Sequence, residues 1–588
     1  MKEFLKTFAA VVLGTALVLL AGFFLILGSL SSLIRIGADS SLTSIPERAV
    51  LHISFEEGIS TQDSDLPVLG FLPDQLDIAR GGKGFLSIAQ AIRQAATDPS
   101  IRMIYLDPQA LNAQMSHIEE IRNALLAFRQ SGKPVISYAG TYSQQAYYLA
   151  TAADKIVINP FGTLMLQGFS MEVNYYKDFF DKLGLEAQLV RHGNYKTAGE
   201  PFTSASMSRE EKKQLHAYMT TAWEHWETNM ETMRHLEKGT IDNLCNTTFL
   251  LDATHAREAG LADELWYRDD MLSYLSGVYD GLAEHKIPFL PVKQYIRYLE
   301  YAKQKPVREK IAIVYIKGEI APKKGAGVFA ADACTEQLDK FRRDSSIKAV
   351  VVRIESPGGD PIASDMIARQ LELIKEVKPV VVSMGDMAAS GGYWVASASH
   401  EIFVQPFTMT GSIGVYSLYF NVESAMKDKL GIYTQTITTH PFGNHFSLYH
   451  SKSKDELQVV QRSIDGIYNK FTDVVAQNRN MSKEEVEALA DGRIWSGAGA
   501  VENGLADTIG GLTEAIERAA QLAGITQYRL VSYPRPLKIT DMIGLGGKKV
   551  STGAAGLVNP LLEEPVLTLL KERGIRARLP FDEKALCW

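Results

Sequence analysis

Ser390 lies in the run Gly385-Asp386-Met387-Ala388-Ala389-Ser390-Gly391-Gly392-Tyr393-Trp394, between an apolar strand ending at Val382-Ser383-Met384 and the helix-like Val395-Ala396-Ser397-Ala398. A serine among small residues at a strand-to-helix turn is sterically open. The glycines behind it allow close backbone approach, and amides at a helix start favour a developing oxyanion. The chemistry suited to such a place is nucleophilic attack on a carbonyl. A hydroxyl does that only when a base takes its proton. Histidine is the usual base, yet the nearest, His400, follows ten residues on, about 15 Å along the axis if the segment is helical. A distant histidine folded close stays open, as does a lysine whose pKa burial pulls down from about 10.4 toward neutrality.

An internal repeat singles out a lysine. Asp98-Pro99-Ser100-Ile101 echoes Asp344-Ser345-Ser346-Ile347, Lys133-Pro134-Val135 echoes Lys378-Pro379-Val380, and Gly260-Leu261-Ala262-Asp263 recurs as Gly504-Leu505-Ala506-Asp507. These matches share an offset of about 245 residues, the mark of a duplicated domain. At that offset Gln145 stands in place of Ser390, with Ala146 and Tyr147 in place of the two glycines. The loop Ser356-Pro357-Gly358-Gly359, suited to holding a carbonyl oxygen or an extended peptide, faces Ala110 to Ala113 without either glycine. The asymmetry reverses at Lys196, in Gly193-Asn194-Tyr195-Lys196-Thr197-Ala198-Gly199-Glu200-Pro201-Phe202. Aligning Gly193-Asn194 with Gly443-Asn444 puts Phe446 opposite it. One half with a nucleophile and the other with a base predicts a single composite site.

The elements that must position these residues follow from the same repeat. Each half opens on an apolar strand (Val50-Leu51-His52-Ile53; Ile311-Ala312-Ile313-Val314-Tyr315), then alternates helix-period segments with runs such as Met103-Ile104-Tyr105-Leu106 and Val350-Val351-Val352. That order predicts βαβ units and a mainly parallel sheet in each half, an α/β fold. Capping patterns at Ser208-x-x-Glu211 and Ser482-x-x-Glu485 predict helices late in each half. Pro288, Pro291 and Pro306 break up a charged stretch between the halves, read as a linker.

At 588 residues the chain exceeds one core, and 46% hydrophobic with 22% charged residues is an ordinary globular composition. A net charge of −7 gives no reason to expect nucleic acid. No phosphate-binding Gly-x-x-x-x-Gly-Lys-Ser/Thr loop points to ATP, no metal-ligand spacing is present, and no cofactor is expected. Cys245, Cys334 and Cys587 are far apart and read as buried thiols. From Thr7 to Ile34 there is no charge, which predicts a transmembrane helix retained rather than cleaved. Lys2 and Lys6 against Arg35 keep the N-terminus cytoplasmic.

The Lys196 motif, the Ser356 loop, Met387 to Tyr393 and Thr410-Gly411-Ser412-Ile413-Gly414 together resemble signal peptide peptidase A of the long form, over roughly residues 45 to 530 and the N-terminal anchor. That resemblance implies two tandem repeats of a Clp protease/crotonase-like βαβ domain and a serine/lysine dyad. It implies Ser390 as nucleophile, Lys196 as base, Gly391 with Gly358 or Gly359 as oxyanion donors, and Ser412 orienting the lysine amine. It also implies a homotetramer on the periplasmic side of a bacterial inner membrane, degrading remnant signal peptides and other hydrophobic peptides. The expected organisation is residues 1–7 cytoplasmic, 8–34 anchor, 45–284 repeat with the base, 285–310 linker, 311–530 repeat with the nucleophile and 531–588 extension. Two other readings compete, a crotonase-like acyl-CoA enzyme and a catalytically inactive membrane scaffold.

Overall fold

Parallel strands rich in Val and Ile need both faces covered, and each half builds such a sheet. The computed structural model describes residues 44–56, 58–63, 82–279, 282–302, 307–325 and 327–535, with strand segments at 575–578 and 586–587. The expected anchor, 8–34, lies outside the described residues. Among those described, no helix is long and apolar enough to cross a membrane.

In the first half, strands β1 (Ala49–Ser54), β2 (Ile101–Asp107), β3 (Val135–Tyr142) and β4 (Lys155–Met165) alternate with helices α1 (Phe85–Thr97), α2 (Met115–Arg129) and α3 (Gln144–Ala150). Strand β5 (Glu186–His192), the long helix α4 (Arg209–Arg234), β6 (Leu250–Asp252) and α5 (Arg268–Val278) follow. The segment expected as a linker carries β7 (Phe289–Pro291) and α6 (Val292–Ala302). The sheet order is β6-β4-β3-β2-β1-β7, parallel from β4 to β7 and antiparallel at β6.

The second half repeats this plan. Its strands are β8 (Lys310–Lys317), β9 (Ile347–Ser356), β10 (Gly358–Gly359) and β11 (Val380–Ala389), with helices α7 (Ala331–Arg343), α8 (Pro361–Lys375) and α9 (Gly391–Ser397). Then come β12 (Met409–Gly411), β13 (Val415–Asn421), α10 (Lys454–Arg479), β14 (Ile494–Ser496), α11 (Leu512–Leu522), β15 (Arg529–Tyr533) and β16 (Ile575–Arg578). The order β14-β12-β11-β9-β8-β15 matches the first sheet strand for strand. In this correspondence β7 is the counterpart of β15, so part of the expected linker is an edge strand of the first sheet.

Individual contacts repeat too. Lys133 Nζ donates to the Ala95 and Asp98 carbonyls, and Lys378 Nζ to those of Phe341 and Asp344. Arg234 pairs with Asp263 as Arg479 does with Asp507. One face of the second sheet packs its own helices, with Val314, Val350 and Val352 in that core. Its other face, with Ile313, Val351 and Val381, joins α11 and the first half's Phe85, Ile118 and Ile121 in a shared core. The halves are therefore fused through apolar burial, the dominant favourable contribution to association.

A buried polar cluster crosses the same junction. Arg353 pairs with Glu355 at 2.7 Å and donates to Ser116 Oγ at 2.9 Å. Asp386 accepts the N–H groups of Met115 and Ser116 at 3.0 and 2.6 Å, capping α2 across the junction. Capping is the use that helix amides make of an otherwise costly buried carboxylate. Cys334 is buried and Cys245 half-buried, both as free thiols.

Candidate active site

A third sheet decides where the chemistry can occur. Strand β5 of the first half pairs antiparallel with β13 of the second, His192 opposite Val415. Beyond His192 the chain turns through Gly193 to Lys196, and just before Val415 lie Ser412 and Gly414. Pairing two strands at that register brings the lysine loop onto the turn that follows β12.

The loop is gripped from several sides. The Asn194 and Tyr195 N–H groups donate to the side chain and carbonyl of Asp491. Arg191 donates to the Lys196 carbonyl at 3.1 Å and to Glu200 at 2.7 Å. Gly492, at φ +76°, lies so close that a Cβ there would stand 2.5 Å from Lys196 N. Only glycine tolerates both that conformation and that approach.

Lys196 Nζ lies 2.8 Å from Ser390 Oγ, 3.0 Å from Ser412 Oγ and 3.0 Å from the Ser412 carbonyl. All three residues are buried, Lys196 at 1% exposure. Burial holds the Lys196 amine well below the ordinary lysine range, because desolvation penalises the ammonium form. The structure thus brings together Lys196 and Ser390, which lie 194 positions apart in the sequence.

Ser390 sits at the turn between β11 and α9 with φ 54° and ψ −117°. Its N–H donates to the Gly411 carbonyl at 2.8 Å, and its carbonyl accepts from Trp394 N at 2.9 Å. Those bonds hold a conformation that a non-glycine residue rarely adopts. Gly391 begins α9, so its N–H has no acceptor within the helix. A Cβ on Gly391 would lie 3.2 Å from Gly359 N and 3.4 Å from Gly358 Cα, so the two glycine segments face each other beside Ser390. The Gly358 N–H already donates to Ser356 Oγ at 3.1 Å. Ser412 Oγ and its carbonyl both contact the amine, the arrangement expected of an orienting residue.

His400 is excluded as a partner by position. Its N–H donates to the Val380 carbonyl, and its Nδ1 accepts from Val380 N at 3.1 Å. Val380 begins β11 and Ser390 follows its end, about 30 Å away at some 3.3 Å per strand residue.

Two alignments made from sequence need correcting. Tyr147 donates to the Leu261 carbonyl as Tyr393 does to that of Leu505, and Tyr148 stacks on Trp226 as Trp394 does on Phe471. Those pairs make Gln144, not Gln145, the counterpart of Ser390, with Gln145 and Ala146 replacing the glycines. Gln144 is buried and bonds the backbone of Gln167 and Gly168 through three contacts, so a structural amide stands where the second half has Ser390. The repeat Asp181-Lys182-Leu183-Gly184, found again at Asp428-Lys429-Leu430-Gly431, puts Gly443 rather than Phe446 opposite Lys196. Phe446 is 64% exposed and occupies no pocket like the lysine's.

Sequence reasoning did not find Gln214, Gly492 or Asp386. Gln214 had one usable signal, its place in the second turn after the Ser208 cap that starts α4; the other two act through contacts that no local pattern marks.

Among known proteins, the chain is 34% identical to Protease 4 of Haemophilus influenzae over 453 residues, 74% of this chain and 72% of that one. It is 31% identical to Protease 4 of Salmonella typhi over 564 residues, 93% of this chain and 89% of that one. Among solved structures, a ClpP1 mutant from Listeria monocytogenes matches at 18% identity with a TM-score of 0.24, covering 35% of this chain and 94% of that one. Peptidase family S49 matches residues 127–277 and again 372–526, once in each structural repeat. A twofold match over those repeats, joined to relatives of this identity and length, makes the chain a member of peptidase family S49 and a serine peptidase.

Proposed function

We propose that this peptidase works through a Ser390/Lys196 dyad and an acyl-enzyme, anchored by residues 8–34 in a bacterial inner membrane with its catalytic halves in the periplasm. Its substrates in this reading are hydrophobic peptides, remnant signal peptides among them. The observation that carries the dyad is the 2.8 Å contact between Lys196 Nζ and Ser390 Oγ inside a water-excluding site.

Neutral Lys196 takes the hydroxyl proton as Ser390 Oγ attacks the scissile carbonyl carbon. The oxyanion forms against the Gly391 amide and the facing Gly358–Gly359 loop, where Gly359 is the better second donor because Gly358 N–H is engaged. Collapse breaks the C–N bond, and the leaving amine takes the proton from Lys196. Water then attacks the ester, giving its proton to Lys196, and the acid departs as Ser390 regains its hydrogen. Ser412 keeps the amine pointed at Oγ throughout.

Extended peptides are favoured as substrates because the chain's own β16 lies antiparallel to Gly358–Gly359 and to Tyr416–Ser417 of β13. A peptide taking that place would gain main-chain hydrogen bonds on both sides, binding by strand addition.

Head-to-tail association into a homotetramer completes the reading. Within one chain, α4 of the first half covers Met409 and Ile494 of the second, and β5 pairs with β13. Among the described residues, apolar side chains at the counterpart positions stand exposed. The repeat counterpart of buried Phe407 is Phe161, 88% exposed, and that of Val190 is Ile437, fully exposed. In this reading α10 and the Thr434–Thr438 run of one copy, Ile437 included, dock onto the first half of the next copy and cover Phe161, a heterologous contact that closes into a ring.

The deciding experiment replaces Ser390 and Lys196 separately with alanine in the full-length enzyme. Each variant is expected to lose cleavage of apolar peptides by roughly 10⁴-fold or more, as members of a catalytic unit do. Parental turnover by either one overturns the dyad.

A further inference from the structure

Gln214 bonds both flanks of Lys196 and the second half of the molecule at once. It lies on α4, 4% exposed. Its Nε2 donates to the Tyr195 carbonyl at 3.1 Å and to Thr197 Oγ1 at 3.3 Å, on either side of Lys196. Its Oε1 accepts the N–H of Ile494 at 3.1 Å. Ile494 begins β14, which pairs with β12 up to Gly411, the residue before Ser412. Leu215 and Tyr218, on the same helix, pack with Met409 and Ile494 and fix the amide in place.

From this we infer that Gln214 is a positioning residue for catalysis. It ties the Lys196 loop to the strand pair that ends at Ser412 and so sets the approach of Nζ to Ser390 Oγ. A side-chain amide suits the task, because it donates twice from nitrogen and accepts at oxygen without adding a charge. A carboxylate there would lose both donors and pull the lysine toward its charged form. Holding the loop shut also keeps water from Nζ, and that desolvation lowers the lysine pKa.

The inference rests on Lys196 being the base, and its test separates the two. Gln214→Met keeps the volume and removes every hydrogen bond, while Gln214→Ala removes both. Thr197→Val removes one partner only. Rates are taken per active site titrated with a serine-directed phosphonate, so a misfolded fraction does not count. In Gln214→Met, kcat is expected to fall about tenfold or more with KM within twofold, since misplacement of a catalytic group by an ångström can cost about 10². The acid limb of kcat/KM is expected to move to higher pH, because water reaching Nζ raises the lysine pKa and the base becomes neutral later. Combining Gln214→Met with Thr197→Val is expected to cost less than the product of the single losses, since the two share one bond.

A merely structural role predicts a lower melting temperature with the limb unmoved, and that result overturns the inference. So does parental kcat with a parental limb in both Gln214 variants. If Gln214→Ala does not fold, the methionine variant and Thr197→Val carry the test. Lys196→Ala, measured alongside, is inactive if the dyad holds, so failure of the Gln214 variants to respond is then charged to the positioning role alone.

Discussion

At the scale of single residues, the site is expensive to fold, because Lys196 is buried and its amine meets only neutral oxygen partners among the described residues. Burial pushes its pKa well below the ordinary value, whereas the unfolded chain keeps lysine near about 10.4. Between those two values the unfolded state binds a proton that the folded state lacks, so this group makes stability rise as pH rises through that window. Lys196→Met removes the penalty. The variant is expected to melt higher than the parent at pH 7, with the gap narrowing toward pH 10, by calorimetry at both pH values; an equal or lower midpoint at pH 7 contradicts this. In the proposed dyad the same desolvation suits the amine to act as base, so activity and stability pull in opposite directions at this position. Ser390 and Lys196 were legible in the sequence because duplication left a control copy of each position. Gln214 was not, since its decisive partner, Ile494, is 280 residues away. The slip from Gln144 to Gln145 has a similar cause. The offset between the halves drifts across the turn at Ser390, and only side-chain contacts such as Tyr147 with Leu261 fix it.

At the scale of elements, the proposed site is built from loops pressed together by strand pairing. The strands of both main sheets could be read from β-branched runs, as at Val350-Val351-Val352, because burial on two faces leaves an uninterrupted apolar signature. Pairing of β5 with β13 could not, since register between distant strands of mixed polarity is set by what they carry with them, here Lys196 and Ser412. Nor could β7, whose three residues, Phe289–Pro291, end on a proline and resemble a connector. Where the loops meet, Gly492 leaves no room for a side chain. Gly492→Ala must both hold φ +76° and push against Lys196 N at 2.5 Å. The backbone term alone costs about 1–2 kcal/mol, and the collision is relieved most readily by moving the lysine loop. The variant is expected to keep its circular dichroism while losing about 10- to 100-fold in kcat. Unchanged turnover would show that the loop can retreat without moving Nζ.

At the scale of the whole molecule, duplication explains both the composite site and the surfaces left bare. The first half keeps the lysine loop, the second keeps the serine turn, and one crossing of β5 onto β13 completes a site within a single chain. A repeat that docks its first copy onto its second has, by the same geometry, a second copy able to dock onto the next molecule's first. The bare positions agree with that expectation. Phe161 and Leu250 are exposed where Phe407 and Ile494 are covered, and Ile437 is exposed where Val190 is buried. Apolar side chains gathered this way mark contact surfaces more often than isolated exposed residues do. Phe161→Lys combined with Ile437→Lys places unpaired ammonium groups at both ends of the proposed contact, where burial is costly. Light scattering in detergent is expected to give a particle with one protein chain of 64.9 kDa for the double variant, against a multiple of that mass for the parent. Phosphonate labelling of Ser390 is expected to persist in the dissociated form, because Lys196, Ser390 and Ser412 belong to one chain. A parental mass in the double variant would place the contact elsewhere. Loss of labelling on dissociation would mean instead that the neighbouring copy holds the site in shape.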